Sequence, residues 1–203
     1  MSSHAAESAV PAEFDFGVFW NQHRTKIIAL ASLVVIGLIL FAVFRVMEHR
    51  KATSARKLLL SATTPTGYQS VIEKYPGTMA AANAHLLLAA QQREEKKFGE
   101  AIGTLESFLS KYPDHPLAGG ARLSLGETQR AANQREEALQ TFQATTNQYP
   151  DSYGAPAAML AEASMFLTEG KTEEARRVLE DLVSQFPESF MAQQAQIELR
   201  SLK

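Results

Sequence analysis

Five histidines, His4, His23, His49, His85 and His115, are the residues of this chain best suited to hold a metal or to move a proton near neutral pH. Their spacing does neither job: no H-E-x-x-H pair or other ligand pattern occurs. His4 stands in a polar tail, His23 and His49 flank an apolar run, and His115 falls in a turn. His85 alone sits on a helical pattern, where it reads as a packing residue. The adjacent carboxylates Glu94 and Glu95 fall at a hairpin turn and read as a solvated helix end. Gly119–Gly120 has neither the preceding strand nor the following Lys-Ser/Thr of a phosphate loop. No serine lies in a G-x-S-x-G context. With no cysteine in the chain, thiol nucleophiles, disulfides, iron–sulfur clusters and cysteine-based zinc sites are excluded together. The expectation is a protein that is not an enzyme, with no catalytic residues, no metal, no cofactor and no small-molecule substrate.

Charge narrows the partners. The formal net charge is −2, with the basic residues concentrated in one place. Arg45, Arg50, Lys51, Arg56 and Lys57 face only Glu48, whereas residues 61–203 carry 13 basic and 18 acidic side chains. An acidic body lacks the clustered positive charge a nucleic-acid surface needs, so no nucleic-acid partner is expected.

The basic cluster follows an apolar run, "IIALASLVVIGLILFAVF", Ile27 to Phe44. Its 18 residues would rise about 27 Å as a helix, close to the ~30 Å hydrocarbon core of a bilayer. Arg45 can snorkel, which extends the predicted transmembrane helix to residues 27–47. Phe19 and Trp20 stand where interfacial aromatic anchors belong. A cleaved signal peptide is disfavoured by the long leader and by the lack of a convincing small-x-small cleavage site after Phe44. Residues 1–26 are then an N-terminal tail with an aromatic segment, and residues 48–76 a linking helix with a half-repeat, broken at "TTPTG".

The remainder is periodic. Tyr75, Tyr112, Tyr149 and Phe186, each followed by proline, recur every 37 residues. In that register Ala101, Ala138 and Ala175 align, as do Leu105, Phe142 and Leu179, and Ala89, Gly126 and Ala163. Small residues allow two helices to approach, and a large apolar residue four positions on fills the space beside them. The turns "KKFGEA", "NQREEA" and "GKTEEA" place acids at the positive end of each second helix. Proline ends the hairpin, and Asp114, or Asp151 with Ser152, is expected to cap the next helix. The predicted fold is all-α: a transmembrane helix, then a solenoid of hairpins over 77–113, 114–150 and 151–187, closed by a capping helix over 188–203.

This small–Ala–[FL]–Pro series resembles the tetratricopeptide repeat, Leu125–Gly126 being the closest match in its first helix. The usual tryptophan position holds His85, Arg122 and Met159, the usual tyrosine position holds Gln92, Gln129 and Phe166, and the period is 37 rather than 34. The "YP(D/E)" form resembles repeats of bacterial envelope proteins. With the single N-terminal span, "FWNQHRTKII" and "SARKLLLSA", the layout over residues 14–203 is similar to the ancillary Sec-translocon subunit (YfgM-like) family. The resemblance implies a protein or peptide partner, among them the Sec translocon or secreted clients. It also implies binding on the concave face lined by the first helix of each hairpin, which carries Asn83, Leu86, Ala90 and Arg93, then Gly120, Leu123, Glu127 and Arg130, then Ala157, Leu160, Ser164 and Leu167. A structural scaffold or adaptor of an envelope complex is the other function class open to such a chain. The resemblance further implies a bacterial inner-membrane protein with a periplasmic repeat domain. The charge count points the other way: two basic residues precede the span and five follow it, which favours a cytoplasmic C-terminal part.

Overall fold

The computed structural model describes residues 16–202. The predicted tail residues 1–15, His4 among them, lie outside the described residues. All regular structure among the described residues is helical: α1 Phe16–Ser61, α2 Pro65–Lys74, α3 Met79–Glu94, α4 Phe98–Lys111, α5 Ala118–Ala131, α6 Arg135–Gln148, α7 Gly154–Thr168, α8 Thr172–Gln185 and α9 Phe190–Ser201. The chain divides into two units, Met1–His49 and Arg50–Lys203.

In the first unit, the apolar part of α1 keeps its large side chains outward, with Leu33, Ile36, Leu40 and Phe41 each more than half exposed. By length and composition it is able to cross a membrane. The Ser32 hydroxyl, one of its few polar groups, donates to the Ile28 carbonyl at 2.8 Å, so its donor is satisfied within the helix.

The second unit is a series of antiparallel helical hairpins, α3–α4, α5–α6 and α7–α8. The last turns of α1 with α2 lie at one end and α9 lies at the other. Each hairpin turn uses one device. Lys96, Asn133 and Gly170, at the same register, take φ of 59°, 62° and 72°. The next amide then reaches back five residues, Lys97 to Gln92, Gln134 to Gln129 and Lys171 to Phe166, at 2.8–3.0 Å. A left-handed residue that closes such a bond is the usual way to satisfy the last carbonyls of a helix. The aromatic caps between hairpins are equally uniform. Tyr75, Tyr112, Tyr149 and Phe186 cap their helices with φ between −128° and −134° and ψ between 49° and 54°. The following proline has no amide to continue the helix.

The aligned small residues are where helices cross. Ala101, Ala138 and Ala175 are fully buried, beside Leu105, Phe142 and Leu179 at 1% exposure or less. A Cβ on Gly126 would stand 2.5 Å from the Phe142 ring, so only glycine fits the aromatic that fills that crossing. Gly154 sits against the Gly119 backbone, where a Cβ would lie 2.7 Å from the carbonyl oxygen, and α5 and α7 approach there. Apolar clusters cover the unit from Ala55, Val71 and Ala84 at one end to Leu179, Leu182 and Ala195 at the other.

The expected acidic caps do not form. Asp114 and Asp151 stay exposed, and α5 and α7 begin at Ala118 and Gly154 without a side-chain cap. The position that does cap lies one residue further on in the repeat, at Thr78, which accepts from the Ala81 amide, and Ser189, which accepts from the Ala192 amide. Its equivalents are His115 and Ser152. His115 precedes Pro116, and its Nδ1 accepts from the Leu117 amide instead. Ser152 is pressed against Gly119, and its hydroxyl is buried without a partner.

Candidate partner-binding groove

The residues expected to face a partner lie on α3, α5 and α7, and they differ in how free they are. Leu86, Leu123 and Leu160 are half-buried, each packed with its outer side on a separate core cluster. They are core residues on one flank and surface on the other. Arg93 reaches across to α5, its Nη1 donating to the Ser124 hydroxyl at 2.8 Å. Glu127 and Arg130 neutralise each other at 2.6 Å within one turn of α5. Ser164 is half-buried on α7. Gly120 is not open to a ligand, because the Tyr153 ring covers it. Asn83 of the expected set lines a substantial cleft. That cleft is about 510 Å³, between the last turns of α1 and the start of α3, with Leu59, Leu60 and Met79 in its walls.

Two features escaped sequence reasoning. Met79, Pro116, Tyr153 and Phe190, each four residues past a capping aromatic, are all exposed, Met79, Tyr153 and Phe190 at 60%, 66% and 73%. The 37-residue register marks the column, but an apolar column reads inward until the helix starts are known. The second is a polar pair inside two hairpins. The Gln92 carboxamide accepts from Thr104 at 2.8 Å, and Gln129 accepts from Thr141 at 2.7 Å. In the third hairpin Phe166 and Val178 replace both partners, so the exchange keeps every buried group satisfied.

His85 is 4% exposed, and only a weak contact with the Thr104 backbone reaches its ring nitrogens. Its ring meets Tyr112 edge-on at 6.0 Å. Burial, then the Lys111 charge, lowers its pKa to about 4, so it packs as a neutral ring. Glu162 on α7 is held by the Gln143 amide at 2.7 Å, and burial raises its pKa above the ordinary carboxyl value. Among the described residues no three His, Asp or Glu side chains gather as a metal site.

Stacked helical hairpins that offer side chains from the first helix of each define a repeat scaffold. The chain belongs to the tetratricopeptide repeat-like domain family, whose profile matches residues 18–149, and residues 123–190 also match the tetratricopeptide repeat. No curated protein matches the sequence. Among solved structures it is similar to a tetratricopeptide repeat protein from Parabacteroides merdae ATCC 43184 (14% identity, TM-score 0.55), covering 76% of this chain and 59% of that one. It is also similar to the nearly identical TPR-like repeats of a Podosopora anserina putative kinesin light chain, in two structures. One is of a single-substitution variant (15% identity, TM-score 0.52) and the other is without that substitution (16%, 0.51). Each of these covers 76% of this chain and 84% of the other. At such identities the likeness is one of fold. Repeats of this fold generally serve as scaffolds for protein–protein interaction.

Proposed function

We propose that this protein is a membrane-anchored interaction module that holds polypeptide partners on the concave face of its repeats, as a chaperone-like or translocon-accessory factor. The observation that carries the reading is the leucine column Leu86, Leu123 and Leu160, which keeps one flank of each side chain uncovered along successive inner helices. Arg93, Glu127 and Arg130 surround it with charges of both signs, which suits varied peptide sequences better than one acidic tail. Residues 27–47 are the anchor, the run being apolar and long enough to span. The translocon-accessory role rests on the layout of span, basic turn and 37-residue repeats.

Cross-linking in cells followed by purification tests the role. Diverse unfolded chains together with Sec components support client handling, and one stoichiometric partner makes the protein a scaffold instead. Replacing Arg93, Glu127 and Arg130 together with alanine should weaken capture at unchanged helicity. Capture that survives this change but fails after changes on α4, α6 and α8 would move the binding face to the outer helices.

A further inference from the structure

The cleft between the end of α1 and the start of α3 has apolar walls, Leu59, Leu60, Met79 and Ala80, with Leu60 79% and Met79 60% exposed. Three polar residues line it: Thr78, whose hydroxyl is taken up by the Tyr75 carbonyl and the Ala81 amide, Arg56 from α1 and Asn83 from α3. Among the described residues Arg56 forms no ion pair, although five other basic side chains of this unit, Lys97, Arg130, Arg135, Lys171 and Arg176, each have a carboxylate within 4 Å. No acidic residue lines the cleft. The Asn83 carboxamide is half-buried and makes no side-chain hydrogen bond among the described residues. A pocket of this volume with apolar walls and a few convergent polar groups is the form that small recognition sites take.

We propose that this cleft binds an extended peptide segment in which a bulky apolar residue stands beside an aspartate or glutamate. The apolar side chain fills the space between Leu59, Leu60 and Met79. The guanidinium of Arg56, with its planar set of donors, takes the adjacent carboxylate. Asn83, which both donates and accepts, takes a backbone amide of the segment. Charge complementarity selects this occupant: a lipid tail or a second apolar helix would leave Arg56 and Asn83 buried without partners, which is costly. The inference rests on the peptide-binding reading above and narrows it to one subsite and one peptide chemistry.

The test uses the full chain in detergent micelles and fluorescein-labelled eight-residue peptides of glycine and serine carrying a leucine pair beside one aspartate, or beside one lysine. Fluorescence anisotropy should show the aspartate peptide binding about tenfold tighter than the lysine peptide, as one desolvated charge contact implies. Arg56→Glu, at an exposed position, should reverse that preference, and Asn83→Ala should weaken both peptides alike. Equal affinity for the two peptides, no binding of either, or a preference unchanged by Arg56→Glu would overturn the proposal. A preference that responds to the Arg93, Glu127 and Arg130 replacements but not to Arg56→Glu would overturn the subsite while leaving the concave-face reading standing. Native mass spectrometry of the same sample covers the other occupant: a dimer that Leu60→Asp abolishes, without bound peptide, would assign the cleft to a second copy of the chain and overturn the proposal.

Discussion

The Tyr149 hydroxyl donates to the Pro113 carbonyl at 3.3 Å, so the aromatic cap of one hairpin is fastened to the turn that closes the hairpin before it. One repeat earlier, the Tyr112 hydroxyl accepts from the Gly77 amide at 3.2 Å. Phe186, at the third position, has no hydroxyl. Tyr149→Phe should therefore be tolerated, at about 0.5 kcal/mol or a little more, because the bond is exposed. Tyr149→Ala also removes a ring that packs on the core and under the Arg122 guanidinium, and should cost about 3 kcal/mol. Thermal unfolding followed by circular dichroism separates the two; equal losses would mean the ring does not pack between repeats.

Two glycines in helix interiors should respond oppositely to alanine. Gly103 on α4 has open space around its Cβ position, so Gly103→Ala gains helix propensity and should stabilise by about 0.5–1 kcal/mol. At Gly126 the same gain is opposed by a clash with Phe142, which is fully buried and cannot swing aside. Overpacking of about 1–3 kcal/mol outweighs the propensity gain, so Gly126→Ala should destabilise. Denaturant titration of both variants checks the pair, and a stabilised Gly126→Ala would show that this crossing is loose.

Stability should depend on pH through two buried groups of opposite sign. His85 has a folded pKa of about 4 against an ordinary 6.5. Between those values the unfolded chain binds more protons, so stability falls as pH drops from 6.5 towards 4. Glu162 has its folded pKa raised above 4.5, so the folded chain binds more protons just above that value and stability falls as pH rises there. In His85→Phe the low-pH loss should shrink and the Glu162 slope should become visible. Melting curves from pH 4 to 7 read this directly, and an unchanged profile in the variant would mean that His85 is not buried neutral.

Orientation is decided by labelling, which a cysteine-free chain makes clean. Asp151→Cys places a thiol at an exposed junction, a better site than Ser152, whose side chain is covered. A periplasmic repeat domain requires that this thiol react with a membrane-impermeant maleimide once the outer membrane is permeabilised. Ser3→Cys should then react only after lysis. The reverse pattern would mean that the five basic residues after the span set the topology.

Much of the architecture was legible because periodicity carries packing information directly. An alanine repeated at 101, 138 and 175 has no reason to stay small unless a helix crosses it, and all three are buried. Local signals were less reliable. Asp114 and Asp151 are good caps in isolation, but Pro116 and the Ser152–Gly119 contact move the helix starts beyond their reach. The groove was readable only as a list of positions. That Arg93 would spend its guanidinium on Ser124, 31 residues away, and that Asn83 would share a cleft with the end of α1, depend on tertiary placement that no spacing encodes.

The four junction caps, at Tyr75, Tyr112, Tyr149 and Phe186, agree in both backbone angles to within about 6°. The chain bends alike at the four caps, although Gly77 then takes φ 78° where Asp114, Asp151 and Glu188 keep a φ that is not positive. Each stretch from one aromatic to the next is thus a cassette that leaves from a common cap and sets its own helix start, four residues on for α3 and α9, five for α7 and six for α5. Duplicating residues 113–149 in place should give a longer array with the same cap at the added joint. The reach of the scaffold would then be set by how many cassettes a gene carries, separately from what any single cassette binds.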